Sequence, residues 1–182
     1  MEAPRRGREN LLPGDRVLIF LTVGTQGPFD RLVRTVDEWI GAHPEIEAFG
    51  QIGDAEYRPA NFETTEWMDP AGFDRRLADC ELVVAHAGMG TILTALENAR
   101  PIVILPRRAA FGEHRNDHQV DTAKKFGAQP GITAAFSEDE LKLALDQRSA
   151  APGEALSPIA SSELLSGLRE FLRTVPRRRR RR

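Results

Sequence analysis

The stretch Val17-Leu18-Ile19-Phe20-Leu21-Thr22-Val23-Gly24-Thr25-Gln26-Gly27-Pro28-Phe29 changes character twice. Arg16 to Val23 is an apolar, β-branched-rich run bounded by glycine, which predicts a buried strand. Gly24 to Gly27 breaks the run. Phe29, Leu32, Val33, Val36 and Ile40 then recur at helical spacing, with Pro28 where a helix can begin without its N–H. Strand, glycine loop and helix together are the opening of a βαβ unit.

The pattern repeats downstream. Ile46 to Ile52 and Phe62 to Trp67 read as strands, and Ala71 to Ala78 as a short helix. Leu82 to Ala85 is a third apolar run, followed by the loop His86-Ala87-Gly88-Met89-Gly90 and a helix turning Ile92, Leu93, Ala95, Leu96 and Ala99 inward. Ile102 to Leu105 is the next strand, closed by Pro106. A helix is expected over Glu113 to Phe126, ended by Gly127. Ser137-Glu138-Asp139-Glu140 is a capping box that opens another through Leu141 and Leu145. Strands alternating with helices give an α/β fold: a Rossmann-like parallel sheet with helices on both faces.

Around this body, residues 1–15 read as a flexible lead-in and 16–148 as the folded domain. Residues 149–160, rich in Ala, Pro, Ser and Gly, read as a linker. Leu164, Leu165, Leu168, Phe171 and Leu172 mark an amphipathic helix over 161–175, and 176–182 form a polyarginine tail. The 182 residues suffice for one domain with its own core. The single cysteine, Cys80, forms no internal disulfide and reads as a small buried hydrophobe. No apolar run reaches the length of a membrane span.

The net charge of −2 conceals an asymmetry. Taking Arg177 to Arg182 from the 25 basic residues leaves 19 against 27 acidic ones, a net −8. An acidic body is unsuited to nucleic acid, and none is expected as a partner. The basic tail reads as a contact for an anionic membrane, an acidic partner or a nucleic acid, or as a solvated end.

Two glycine-rich loops, Gly24 to Gly27 and His86 to Thr91, fall at carboxyl ends of strands, where ligands bind in such sheets. Glycine lets backbone approach an anion closely, and the helix start that follows presents N–H groups. Both loops also read as plain tight turns. Gly24 to Gly27 lacks the Lys-Ser/Thr ending of a P-loop, and Leu93 stands where a dinucleotide fingerprint needs its third glycine. Trp67 reads equally as a core aromatic or a base-stacking one. His114 and His118, four apart on the expected helix, show no third ligand, so no metal site is assigned. Arg107 and Arg108 either attract pyrophosphate or are solvated.

His86-Ala87-Gly88-Met89-Gly90-Thr91, then Pro101, then Asn116-Asp117-His118-Gln119, resembles the C-terminal domain of family 28 glycosyltransferases. Val23-Gly24-Thr25-Gln26 with Phe29-Asp30-Arg31-Leu32-Val33 matches its single-domain members. These serve as the small catalytic subunit of a dolichol-linked UDP-GlcNAc transferase or in bacterial exopolysaccharide and capsule transferases. The resemblance, from about Val17 to Phe126, implies the donor half of a GT-B fold. It implies that His86, Gly24 and Thr25 flank the diphosphate and reaction centre. It implies that the backbone of Glu66-Trp67-Met68-Asp69 reads the uracil, with Met68 against the base, and that Gly88, Met89, Gly90 and Thr91 hold the phosphates. Asn116, His118 and Gln119 hold the donor sugar. At position 94 the family usually places a carboxylate for the ribose; here it is Thr94, which weakens that grip or leaves it to Glu97.

The resemblance further implies an inverting transfer from a UDP-sugar, with no cofactor beyond that substrate. Loop N–H groups meet the leaving-group charge without a metal. With its first strand near Arg16, the chain is expected to lack an acceptor domain. A membrane-anchored, acceptor-binding partner subunit would then hold a polyprenyl-linked acceptor, and this chain would sit peripherally at the cytoplasmic face of the membrane. Two other readings stay open: a non-catalytic nucleotide-sugar-binding regulatory subunit, and a scaffold with a decayed site.

Overall fold

The computed structural model describes residues 17–149 together with Glu170. The lead-in 1–15, the linker beyond Ser149, the 161–175 helix and the arginine tail therefore lie outside the described residues, Glu170 aside.

The chain runs β1 (Val17–Thr22), α1 (Asp30–Ala42), β2 (Ile46–Gln51), β3 (Glu63–Thr65), α2 (Pro70–Asp79), β4 (Leu82–His86), α3 (Met89–Glu97), β5 (Ile102–Leu105), α4 (His118–Phe126), β6 (Ile132–Ala134) and α5 (Glu138–Ser149), with a 3-10 turn at Ala109–Phe111. The six strands form one sheet in the order β3-β2-β1-β4-β5-β6, and every neighbouring pair is parallel. This is the Rossmann-like α/β sheet that the alternating pattern predicts.

Strand periodicity sorts the apolar side chains onto two faces. Ile19, Leu21, Val84, Val103 and Leu105 meet α1 and α5 on one side. Phe20, Val83, Ala85, Ile102 and Ile104 meet α2, α3 and α4 on the other. Because both faces are covered, the central strands read as continuous apolar runs rather than alternating ones. Each fully buried Leu, Ile or Phe contributes roughly 1.5–3 kcal/mol.

The strand order places the site. From β1 the chain steps outward to β2 and β3, then returns to the other flank of β1 with β4. The loops leaving β1 and β4 consequently diverge, and a crevice opens at the carboxyl ends of this adjacent pair. Polar pins fix the surroundings. Buried Asp37 accepts from the Tyr57 hydroxyl at 2.7 Å and from the Asn61 N–H at 2.8 Å, holding the 55–61 segment on α1. The Trp39 indole donates to Asp146 at 2.6 Å, tying α1 to α5.

Several boundaries differ from the sequence expectations. The strand read as Phe62 to Trp67 is only Glu63–Thr65, and β6 was not foreseen. Pro28 precedes the N-cap Phe29 rather than opening α1. Ala99 is exposed, with φ 55° past the end of α3, instead of turned inward. The helix expected from Glu113 begins at His118, because residues 113 and 117 are engaged by tertiary partners: the Glu113 carboxylate pairs with Arg31 at 2.6 Å, and Asp117 accepts from the Ala109 N–H at 2.8 Å. The capping box is half formed. Ser137 accepts from the Glu140 N–H at 3.2 Å, but the Glu140 carboxylate reaches the N–H of Phe136 rather than that of Ser137.

Candidate functional site

The crevice is a cleft of about 550 Å³ lined by the ends of β1, β2 and β4 and the starts of α2, α3 and α4. Of the residues expected at a site, it brings together Gly24, Thr25, Met68, His86, Gly88, Met89, Gly90, Thr91, Thr94, His118 and Gln119. Asn116 stands behind them, its side-chain oxygen accepting from the His118 ring. One wall is apolar, with Trp67, Met68, Pro70 and Phe73; the other is polar backbone and imidazole.

Trp67 is 46% exposed, so it is no core aromatic. Of the Glu66 to Asp69 segment, the Met68 N–H donates to Gln51 at 3.3 Å, and the Trp67 carbonyl accepts from the Thr65 hydroxyl at 3.0 Å. Asp69 caps α2 by accepting from the Gly72 N–H at 2.7 Å. Those backbone groups already have partners, which leaves this wall its flat apolar surface.

The opposite wall is the N-terminus of α3. Its N-cap is Gly88, which has no side chain to offer, and no side chain caps the helix. The N–H groups of Met89, Gly90 and Thr91 have no partner within an α-helix and carry the positive end of its dipole. A β-carbon on Gly90 would meet nothing within 4 Å, so the protein itself does not require glycine there.

Gly24 and Gly88 are glycines for a different reason. A β-carbon on Gly24 would lie 2.4 Å from Cε1 of His86, and one on Gly88 would lie 2.1 Å from Nε2. Gly24 also has φ 74°. The imidazole is held in a slot between the two loops. Burial lowers its pKa to about 4, with Arg107, His114 and His118 acting in the same direction and the Thr22 backbone opposing. His86 is therefore neutral at neutral pH. The His118 pKa is also lowered, first by burial and then by His114.

Three sequence readings are corrected by this geometry. Arg107 is neither solvated nor in the cleft but fully buried, donating to carbonyls of Val23, Gly27 and Pro28. Arg108 donates to the Phe136 carbonyl. The Thr94 hydroxyl donates to the Gly90 carbonyl at 2.9 Å, so only its lone pairs face a ligand, and Glu97 does not join the lining. His114 and His118 do not share a helix: their rings meet edge to face at 4.5 Å, and His114 bonds Gln26 at 2.7 Å. Among the described residues, no three His, Cys, Asp or Glu side chains gather in a metal-holding group. Cys80 is buried, its thiol pushed up to about 11 by burial.

Gln51 and Phe73 line the cleft and were missed. A polar residue ending an apolar strand was the available signal for Gln51. Gln119, 3% exposed, accepts from the Arg107 N–H at 3.2 Å and so turns its remaining amide donors toward the cleft.

Residues 18–152 match the family model described as "Glycosyltransferase family 28 C-terminal domain". The human UDP-N-acetylglucosamine transferase subunit ALG13 is 30% identical over 119 residues, covering 59% of this chain and 10% of that protein. The chain thus spans about a tenth of that relative's length. The solution structure of ALG13 superposes with TM-score 0.59 at 19% identity, covering 88% of this chain and 98% of that one. A glycotransferase of kitacinnamycin superposes with TM-score 0.56 at 23% identity, covering 95% of this chain and 43% of that one. At these identities the structural likenesses establish the fold, which is that of GT-B C-terminal domains.

Proposed function

This chain belongs to the glycosyltransferase family 28 C-terminal domain family, and from that premise we propose that it is the donor-binding, catalytic subunit of an inverting UDP-sugar hexosyltransferase. In this reading it hands its sugar to a polyprenyl-linked acceptor held by a membrane-anchored partner subunit, at the cytoplasmic face of a membrane. The product belongs to exopolysaccharide, capsule or lipid-linked oligosaccharide synthesis. The observation that carries the donor assignment is that the uncapped α3 N-terminus and the exposed Trp67 line one and the same cleft. A uracil lies on the apolar wall, the diphosphate on the N–H groups of Met89, Gly90 and Thr91, and the sugar toward His118 and Gln119.

As the glycosidic bond breaks, negative charge grows on the departing UDP. Preorganised N–H groups and a helix dipole stabilise such charge where it develops. That arrangement supports transfer without a metal. His86, neutral and wedged between the loops, sets their separation and stands ready to accept a hydrogen bond at the reaction centre. The partner rests on the ALG13 relative being named a subunit. Among the described residues no helix is long and apolar enough to cross a membrane.

The test is reconstitution. This chain, co-expressed with a candidate membrane subunit, should release UDP from a UDP-sugar only when lipid-linked acceptor is present, and chelation should leave the rate unchanged. Robust transfer by this chain alone contradicts the two-subunit reading, and loss on chelation reversed by a divalent ion contradicts metal independence. The Thr94 hydroxyl, spent on its own helix, favours a second reading: a nucleotide-sugar-binding regulatory subunit. Donor binding without UDP release in the reconstituted complex selects it.

A further inference from the structure

Arg107 is a buried cation, and the mechanism above does not use it. Its side chain is fully buried. Its guanidinium donates to the carbonyls of Pro28 at 2.5 Å, Gly27 at 2.8 Å, Val23 at 3.0 Å and Glu113 at 3.3 Å. The Phe29 ring stacks on it, 4.6 Å from the guanidinium carbon to the centroid. All its hydrogen-bond acceptors are neutral. The carboxylates of Glu113 and Asp54 act on its charge from a distance, and that of Glu113 is bonded to Arg31 and to the Arg108 N–H. Among the described residues no carboxylate forms an ion pair with Arg107. Carbonyl dipoles solvate a cation but do not neutralise it. A buried cation left un-neutralised costs several kcal/mol as a rule, and a neutral residue would normally serve packing better.

Its position explains its retention. Val23, Gly27 and Pro28 bracket the Gly24–Gly27 loop, so Arg107 holds that loop from beneath at both ends. Through its backbone N–H it also holds Gln119. One residue at the end of β5 thus fixes two sides of the cleft, and its charge lies one layer behind the loop facing α3. The charge reaches into the cleft: it is the largest of the electrostatic influences that keep the His86 imidazole neutral.

We propose that Arg107 is a positioning residue of the donor site that anchors the Gly24–Pro28 loop and supplies the buried positive charge against which a nucleotide's diphosphate is held. The inference rests on the donor-site reading above and adds to it the origin of diphosphate selectivity.

The test compares UDP with uridine, which shares the base and ribose but carries no phosphate. Quenching of Trp67 fluorescence reads both, Trp39 being the only other tryptophan and buried. Arg107→Met and Arg107→Gln should weaken UDP by about tenfold or more, the scale of a lost interaction with a charged group, and uridine by less than about threefold. Arg107→Lys, which keeps the charge but reaches fewer carbonyls, should retain the UDP-to-uridine preference. Equal weakening of both ligands in the neutral variants, or no weakening of UDP, overturns the proposal. Should the neutral variants not fold, Arg107→Lys decides alone: a preserved preference supports the proposal and a tenfold collapse overturns it. Failure of the wild-type chain to bind UDP at all would instead overturn the donor-site reading, and this inference with it.

Discussion

His86 and Gly88 are sterically coupled: a β-carbon at Gly88 would stand 2.1 Å from Nε2 of the imidazole, with Gly24 closing the other side of the ring. Glycines that look like a phosphate cradle are here first of all the walls of a histidine slot.

Gly88→Ala should therefore cost about 1–3 kcal/mol by overpacking, on top of about 1 kcal/mol because alanine is a poor helix N-cap. In a His86→Ala background only the capping cost should remain. Urea unfolding of the four species in this double-mutant cycle should give a coupling equal to the overpacking cost, about 1–3 kcal/mol. Additive costs would mean the ring is free to swing aside.

Acid should destabilise the fold through the same ring. The folded pKa of about 4 lies below the ordinary 6.5, so the unfolded chain binds a proton that the native one refuses. Stability from this source is complete above pH 6.5 and falls as pH drops toward 4, by about 2 kcal/mol at pH 5. His118, also lowered, acts in the same direction. Unfolding measured at pH 7.5 and pH 5 should show a smaller loss in His86→Asn than in wild type. An equal loss would place the acid sensitivity elsewhere.

Position 99 carries strain unconnected with the cleft. Ala99 adopts φ 55° and closes α3 in a Schellman arrangement, with the Arg100 N–H on the Ala95 carbonyl at 2.8 Å and the Ala99 N–H on the Leu96 carbonyl at 3.0 Å. Left-handed backbone costs a non-glycine residue roughly 1 kcal/mol. Ala99→Gly should thus stabilise the chain by about 0.5–1 kcal/mol and leave nucleotide binding untouched. Destabilisation would mean the turn is not held in this conformation.

Gly90 sets stability against function. In the first turn of α3 glycine costs roughly 1 kcal/mol relative to alanine, and a methyl group there meets no protein atom. Gly90→Ala should raise the unfolding midpoint while weakening UDP by a larger factor than uridine. A more stable protein with unchanged UDP affinity would move the phosphates away from α3.

The parts of the fold legible in the sequence are those fixed by local pattern. The β1–loop–α1 unit declares itself through the apolar run Val17 to Val23 and the helical spacing of Phe29 to Ile40, all buried as expected but for the intermediate Val17 and Leu18 at the strand's start. The His86 to Thr91 loop was likewise readable, because the glycines and the helix behind them are contiguous. β6 was missed because three residues, Ile132 to Ala134, carry too little periodicity to distinguish a strand from a turn. The late start of α4 was hidden because Arg31, distant in sequence, pairs with Glu113. Arg107 was misread for the same kind of reason: the carbonyls that bury it belong to residues 23, 27 and 28. Long-range contacts of single polar side chains leave no periodic trace.

The central claim, that a nucleotide diphosphate sits on the α3 N-terminus with its base on Trp67, is tested most directly by titrating UDP into the isotopically labelled chain in metal-free buffer and following amide resonances. The account predicts saturable shifts of Met89, Gly90 and Thr91 and of the Trp67 indole N–H, with uridine moving the indole but leaving those three amides nearly still. Shifts confined to other surfaces, or none at all, would contradict it.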